Sequence, residues 1–118
     1  MEGRTKLVSE EAFMRLLMNG HQSAGGDEID PPPVIKLFTP DAAATWLLTE
    51  VDPDDEDRAF GLCDLGLGFP ELGWVRFSEI ETVRGRLNLP VETDRHFSAR
   101  QPLSAYASNA RVHGRIVA

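Results

Sequence analysis

Apolar and polar residues along the chain form blocks that predict short strands and a few short helices. The most regular block covers residues 58–85, where apolar runs at 59–65 and 72–77 flank a segment with two glycines and a proline. Glycine reaches positive φ angles easily, and proline cannot donate a hydrogen bond inside a sheet. The pattern therefore predicts a hairpin at this point of the chain.

The second apolar run leads into a predicted helix at residues 78–84. Ser78 and Glu81 have the three-residue spacing of a capping box, and Gly85 stands where a helix often ends. Trp74 lies just before this helix. Its bulk predicts a buried side chain, and a surface contact for a partner is the alternative.

The N-terminal helix is predicted to begin after Ser9 and to end at Gly20. Serine is a good N-cap, and glycine often follows the last turn of a helix. Its buried face has apolar residues at helical spacing, namely Phe13, Leu16 and Leu17. Residues 21–33 follow as a loop rich in Gly and Pro.

Five strands and a final helix complete the predicted fold. The strand ranges are 34–38, 43–51, 59–65, 72–77 and 91–97. The helix begins at Pro102 and ends at Gly114, with a buried stripe formed by Leu103, Tyr106, Ala107 and Ala110. Short connections favour antiparallel neighbours. The fold class is therefore α+β, an antiparallel meander of about five strands packed with three short helices in two layers.

Composition predicts one domain over residues 1–118, with an ordinary globular share of 42% apolar residues. Cys63 is the only cysteine, which excludes an intrachain disulfide and a four-cysteine zinc site. No apolar run reaches the roughly 18 residues of a membrane span. Residues 1–6 also lack the apolar stretch of a secretion signal. We expect a cytoplasmic protein without membrane contact and without a cofactor.

Charge is unevenly distributed along the chain, whose net charge is −7. Residues 1–83 carry 6 Lys and Arg against 17 Asp and Glu, whereas residues 84–118 carry 6 Arg against 2 acids. This division favours association through charge, with a protein partner or between copies of the chain. Binding to duplex DNA is disfavoured, because neutralisation of phosphates supplies most of the non-specific affinity.

The densest acidic segment, at residues 52–57, has two interpretations. Five carboxylates in six residues could offer oxygen ligands to calcium, but the spacing and central glycine of a helix-loop-helix site are missing. Asp and Pro also form turns, so a hairpin turn without metal is the simpler interpretation. Within this segment Asp54, Asp55 and Asp57 are the candidates for binding a partner.

Glu92, Asp94 and His96 are the candidates for catalysis, since alternation along a strand would place them on one face. A carboxylate next to histidine fixes its tautomer and raises its basicity. The alternative is an ordinary polar strand face, because no known hydrolase or phosphate-binding motif accompanies the three residues. Cys63 lies in an apolar run and is predicted to be a small core residue rather than a nucleophile.

Several stretches together resemble the bacterial domain-of-unknown-function family 2958. They are residues 34–40, 45–50, 59–66, 70–74, 79–85 and 89–97. The chain departs slightly from that family at Trp74, where tyrosine is frequent, and at Arg76, where a polar residue is frequent. The resemblance implies a small bacterial protein often carried on plasmids and other mobile elements, and it assigns no site residue.

Two functional hypotheses follow. The favoured one is a non-catalytic protein-interaction or accessory module of mobile elements, of which an anti-defence protein is one form. The alternative is a small hydrolase or nuclease that uses Glu92, Asp94 and His96.

Overall fold

The computed structural model describes residues 5–118, so the expectation about a leader at residues 1–6 falls mostly outside it. The helices are α1 (Glu10–Ala24), α2 (Phe77–Ile80) and α3 (Leu103–His113). The strands are β1 (Ile35–Phe38), β2 (Thr45–Asp52), β3 (Asp55–Asp64), β4 (Glu71–Arg76) and β5 (Glu92–Thr93). None of the helices within residues 5–118 is long and apolar enough to cross a bilayer.

The five strands form one open antiparallel sheet in the order β4-β3-β2-β1-β5. The predicted α+β class and the antiparallel meander are confirmed. The turn between β2 and β3 contains only Pro53 and Asp54, because Asp52 already pairs with Asp55. The Asp52 carboxylate accepts a hydrogen bond from the Asp54 backbone at 2.9 Å, as expected for a turn-forming aspartate.

The central strand β2 is apolar on both sides, and each side packs against a different helix. Trp46 and Leu48 belong to a core cluster with Phe13 and Leu16 of α1. Leu47 points the opposite way and belongs, with Leu62, to a second cluster that includes the buried side chains of α3. The helices therefore lie on both faces of the sheet, so a third layer joins the two that the sequence predicts.

Helix α1 is longer than predicted, because it continues through Gly20 to Ala24. Gly20 is buried, and a Cβ atom there would overlap the carbonyl oxygen of Val51 on β2. This glycine allows the helix to approach the sheet closely and does not end the helix. The predicted loop at residues 21–33 correspondingly loses its first four residues to the helix.

The capping box predicted for α2 is wrong. The helix spans only Phe77–Ile80, and Ser78 makes no cap for it. Instead the Asp57 carboxylate on β3 accepts hydrogen bonds from the Ser78 backbone N–H at 2.9 Å and from its hydroxyl at 2.6 Å. The helix starts early because Phe77 is fully buried, and a distant side chain supplies the cap.

Helix α3 agrees with the prediction at both ends. Its buried residues are Leu103, Tyr106, Ala107 and Ala110. Gly114 ends it in a left-handed conformation with φ of 70°. At the start, Asp30 accepts a hydrogen bond from the Ser104 backbone at 3.0 Å, so a second aspartate from outside the helix acts as its cap.

Candidate functional site

The three predicted catalytic candidates, Glu92, Asp94 and His96, all line one groove of about 890 Å³. The groove runs along β5 and β1 and along the segment that leads into α1. The other residues that line it are Lys6, Leu7, Ser9, Ala12, Ile35, Phe38, Val91, Thr93 and Arg95. The three candidates therefore border one groove, and their role in catalysis stays a prediction.

The strand predicted at residues 91–97 ends at Thr93. The chain turns there because the Asp94 carboxylate accepts a hydrogen bond from the His96 backbone at 2.9 Å, and the Asp94 carbonyl accepts one from Phe97 at 3.3 Å. Aspartate often forms turns of this kind. The alternation that placed three ionisable groups on one strand face therefore stops after two residues.

Asp94 is the member of the three whose carboxylate contacts other groups, namely the His96 backbone and the Lys36 ammonium. The His96 backbone N–H, and then the Lys36 ammonium at 3.4 Å, hold the pKa of the Asp94 carboxyl below its usual value. A carboxylate with a lowered pKa is a weak general base near neutral pH. Glu92 and His96 are exposed, and within residues 5–118 no hydrogen bond joins the His96 ring to either carboxylate.

The acidic segment at residues 52–57 contains the predicted hairpin turn, closed by the pairing of Asp52 with Asp55. Within residues 5–118, no three side chains of His, Cys, Asp or Glu come together as a set that could hold a metal ion.

The acidic segment contacts two arginines. Arg76 contacts the carboxylates of Asp55 at 3.0 Å and Asp57 at 3.6 Å, and Arg58 contacts Asp52 at 3.2 Å. Asp57 also caps α2. Of the three predicted partner-binding residues, Asp54 is exposed, whereas Asp55 and Asp57 are half-buried. Their role in binding a partner stays a prediction.

Sequence reasoning missed the apolar surface at the turn between β3 and β4, which we call the apolar hairpin (residues 65–69). Leu65, Leu67 and Phe69 are 61%, 73% and 79% exposed. Asp64 anchors the base of this turn, since its buried carboxylate accepts hydrogen bonds from Gly66 at 2.8 Å and Ile116 at 2.9 Å. The available signal was a turn segment with three large apolar residues and no charged one.

The apolar hairpin leads into β4, the outer strand of the sheet, where Leu72 and Trp74 are 40% and 41% exposed. The prediction that Trp74 is buried is wrong, because the edge position leaves one side of its ring without a neighbouring strand. Phe60 packs against the ring edge-on at 5.3 Å, and the Arg58 guanidinium lies 4.2 Å from the ring centroid. These contacts hold the indole in place while it stays accessible.

Two titratable groups with raised pKa values lie elsewhere in the sheet. Burial raises the pKa of the Cys63 thiol to about 11, so almost no thiolate exists at neutral pH and the thiol is a poor nucleophile. Burial also raises the pKa of Glu50, which is only 8% exposed. The raised pKa of each group disfavours the ionised form that a nucleophile or a metal ligand needs.

Residues 7–117 match the model of a family described as "Protein of unknown function (DUF2958)". The chain belongs to this family. The match covers nearly the whole chain, which confirms the resemblance found from the sequence. No curated protein and no solved structure matches the chain. Membership of DUF2958 therefore defines the family and leaves the function to be inferred from the surface.

Proposed function

We propose that this DUF2958 chain is a cytoplasmic, non-catalytic protein-interaction module that binds an extended protein strand along β4. The observation that carries the proposal is that β4 is a regular edge strand with exposed apolar side chains. Strand β4 has six residues, pairs regularly with β3 through all of them, and exposes Leu72 and Trp74. An open edge of this kind presents unpaired backbone donors and acceptors to an added strand.

The two edges of the sheet differ in a way that supports the proposal. Strand β5, at the other edge, has only two residues and follows closely after Pro90. Short edge strands, proline and lysine are the usual protections against unwanted pairing. Strand β4 also follows a proline, Pro70, but it is three times as long as β5 and contains neither proline nor lysine within residues 71–76. The difference between the two edges is therefore mainly one of strand length.

The apolar hairpin enlarges this surface. Its three side chains, with Leu72 and Trp74, expose apolar area on the order of several hundred Å², which is the size of patch that often has a function on a soluble protein. Aromatic residues that are already held in place lose little freedom on binding, and they often contribute much of the binding energy.

Charge around this surface defines the second part of the proposal. Asp54 and Glu56 are exposed near the β2–β3 turn, and residues 1–83 are strongly acidic overall. A basic rim on the partner would complement them and raise the rate of association. Naked duplex DNA lacks that complementarity, and we expect the purified chain not to bind it.

Capture from the native host tests the proposal, with Trp74→Lys as the variant and Met18→Lys as its control. Met18 is 69% exposed on α1, away from the β4 edge. A partner that Trp74→Lys loses, that Met18→Lys keeps, and that rebinds from purified components supports the proposal. Equal capture by both variants would overturn it, as would tight, salt-sensitive binding of the purified chain to DNA.

Salt separates the two parts of the surface. Capture that weakens at high salt, and weakens again when Asp54→Asn and Glu56→Gln are combined, would assign binding to the charged rim. Capture that survives high salt would assign it to the apolar edge.

The accessory role on mobile elements is a further part of the proposal, supported by the resemblance described above. It is tested by the transfer of a plasmid into a restricting host, with and without the wild-type chain. An increase in transfer that Trp74→Lys abolishes and Met18→Lys retains would indicate an anti-defence function. Equal transfer in all strains would exclude that function.

The groove supports a second candidate function, because Glu92, Asp94 and His96 are all among the residues that line it. A hydrolase or nuclease in this groove would need His96 as its base. Purified wild-type chain and His96→Ala are assayed on ester, phosphodiester and nucleic-acid substrates. Turnover that disappears in His96→Ala would support an enzyme, and the absence of turnover in the wild type would exclude one for these substrates.

A further inference from the structure

We propose that the strand that pairs with β4 is the β4 strand of a second copy of this chain, in antiparallel orientation about a two-fold axis at Gly73. The inference rests on the apolar part of the proposed function, since it names the occupant of the same edge, and it replaces the basic partner of the charged rim with a second acidic copy. It predicts a homodimer with one continuous sheet of ten strands, because each copy contributes the five strands of its own sheet.

The faces of the strand determine which registers are possible. Residues directly opposite one another in an antiparallel pair point to the same face of the sheet. Leu72 lies opposite Leu62, and Trp74 lies opposite Phe60, so both point to the face that carries α3. Gly73 points to the other face. A two-fold axis perpendicular to the sheet keeps each face continuous across the dimer.

The register with Gly73 on the axis matches the pattern of side chains best. It places Leu72 opposite Trp74 of the second copy, and by symmetry it places Trp74 opposite Leu72 of the second copy. Two exposed apolar side chains in each copy thereby cover each other on one face. A register centred on Trp74 would instead place Leu72 opposite Arg76 on this face. The register centred on Gly73 keeps its apolar and charged neighbours, Val75 and Glu71, on the other face.

The space around the axis is open. A Cβ atom at Gly73 would meet no heavy atom within 4 Å, so the face of the sheet is uncovered at this residue and accepts an introduced side chain. Trp74 is held by Phe60 and Arg58 before any partner arrives. The side chain that would contribute most contact area is therefore already ordered, which lowers the entropic cost of association.

Charge gives this dimer a recognisable salt dependence. The two ends of β4 carry Glu71 and Arg76, which point to opposite faces of the sheet and therefore form no ion pair across the dimer. Arg76 contacts Asp55 within its own copy, and each copy has a net charge of −7. Repulsion between the two acidic bodies is screened by salt, so the dimer should strengthen as salt rises, unlike a complex held by opposite charges.

Sedimentation of purified chains tests the inference. Leu72→Glu and Trp74→Lys should each weaken the dimer about tenfold or more, since each puts a charge opposite an apolar residue twice in every dimer. Met18→Lys should leave it unchanged. A mixture of Leu72→Glu with Trp74→Lys should restore it. In that mixed dimer the introduced carboxylate faces the introduced ammonium in one half, and the native Trp74 of one copy faces the native Leu72 of the other in the second half.

Covalent trapping checks the register without depending on those variants. Gly73→Cys is made with Cys63→Ala, which removes the only native thiol. Opposed Cα atoms in an antiparallel pair are about 4.5–5.5 Å apart, which is within the range of a disulfide. Oxidation should give a covalent dimer in high yield, whereas Met18→Cys in the same background should not.

The outcomes separate this inference from the proposed function. Monomeric wild-type chain at high concentration, together with equal cross-linking by both cysteine variants, would overturn the dimer. If capture of a host protein still depended on Trp74, the edge would remain an interaction surface with a different occupant. If Trp74→Lys also captured host proteins as well as the wild type does, the proposed function would fail too.

Discussion

Glu50 lies on β2 opposite Phe60 of β3, where it is 8% exposed. Burial raises the pKa of its carboxyl most, a hydrogen bond with Ser23 opposes that effect, and the nearby Asp52 charge adds to it. Within residues 5–118 no Lys or Arg forms an ion pair with it. An unpaired buried carboxylate destabilises the folded state when it is ionised.

Glu50→Gln should therefore raise the free energy of unfolding at neutral pH. Glutamine keeps an oxygen acceptor for Ser23 and removes the charge. In the wild type the folded state holds the Glu50 proton more tightly than the unfolded state. Its contribution is therefore most favourable below the unfolded pKa of about 4.3 and is lost as pH rises through the higher folded pKa. Urea midpoints measured over that pH range for both proteins check this.

An equal slope of stability against pH in wild type and Glu50→Gln would contradict this account. Glu56→Gln is the matched control, because Glu56 is exposed on β3 and its replacement should change the midpoint little.

At the scale of elements, two of the three helices within residues 5–118 are capped at their first turn by an aspartate that is distant in sequence. Asp57→Ala should cost about 1–2 kcal/mol, because it removes the cap of α2 together with a contact to Arg76. Ser78→Ala leaves the backbone bond to Asp57 intact and should cost less, about 0.5–1 kcal/mol. Asp54→Ala, at an exposed position in the same segment, is the control. Denaturant midpoints that show a larger loss of stability in Ser78→Ala than in Asp57→Ala would restore the capping-box interpretation.

The contact between α1 and β2 depends on a glycine. Gly20→Ala should destabilise the fold by about 1–3 kcal/mol, because the added methyl group overlaps a backbone oxygen of Val51 that cannot move without shifting the strand. Gly25→Ala lies at the end of the same helix, with φ of −76°, and should change stability by less than about 0.5 kcal/mol. Similar thermal midpoints for the two variants would mean that α1 packs differently.

These elements show what the sequence could predict. Local patterns predicted α3 correctly, because its buried apolar stripe and its terminal glycine are both local to the helix. They also predicted the antiparallel strands. They failed at Gly20, because in sequence a glycine that ends a helix looks the same as a glycine that lets a strand pack closely against the helix. They failed at Ser78, because the residue that caps α2, Asp57, lies 21 residues away. The prediction that Trp74 is buried failed for a related reason. The position of β4 at the edge of the sheet depends on the order of all five strands, which no local pattern determines.

At the scale of the whole molecule, the two sides of the sheet are covered unequally. The larger core cluster lies under α1 and α2, and the smaller one lies under α3. Leu72 and Trp74 lie on the α3 side at the outer edge and remain about two-fifths exposed. The candidate site that sequence favoured, around Asp94, lies at the opposite edge beside β5, where the strand is short and protected.

Hydrogen exchange of the β4 amides in the purified chain, at low and high protein concentration, tests the central claim most directly. Pairing across the edge predicts that exchange within residues 71–76 slows as concentration rises, while exchange in α1 stays constant. The same dilution series with Trp74→Lys should show no change in residues 71–76. Exchange of the wild-type β4 amides that is independent of concentration would contradict the account.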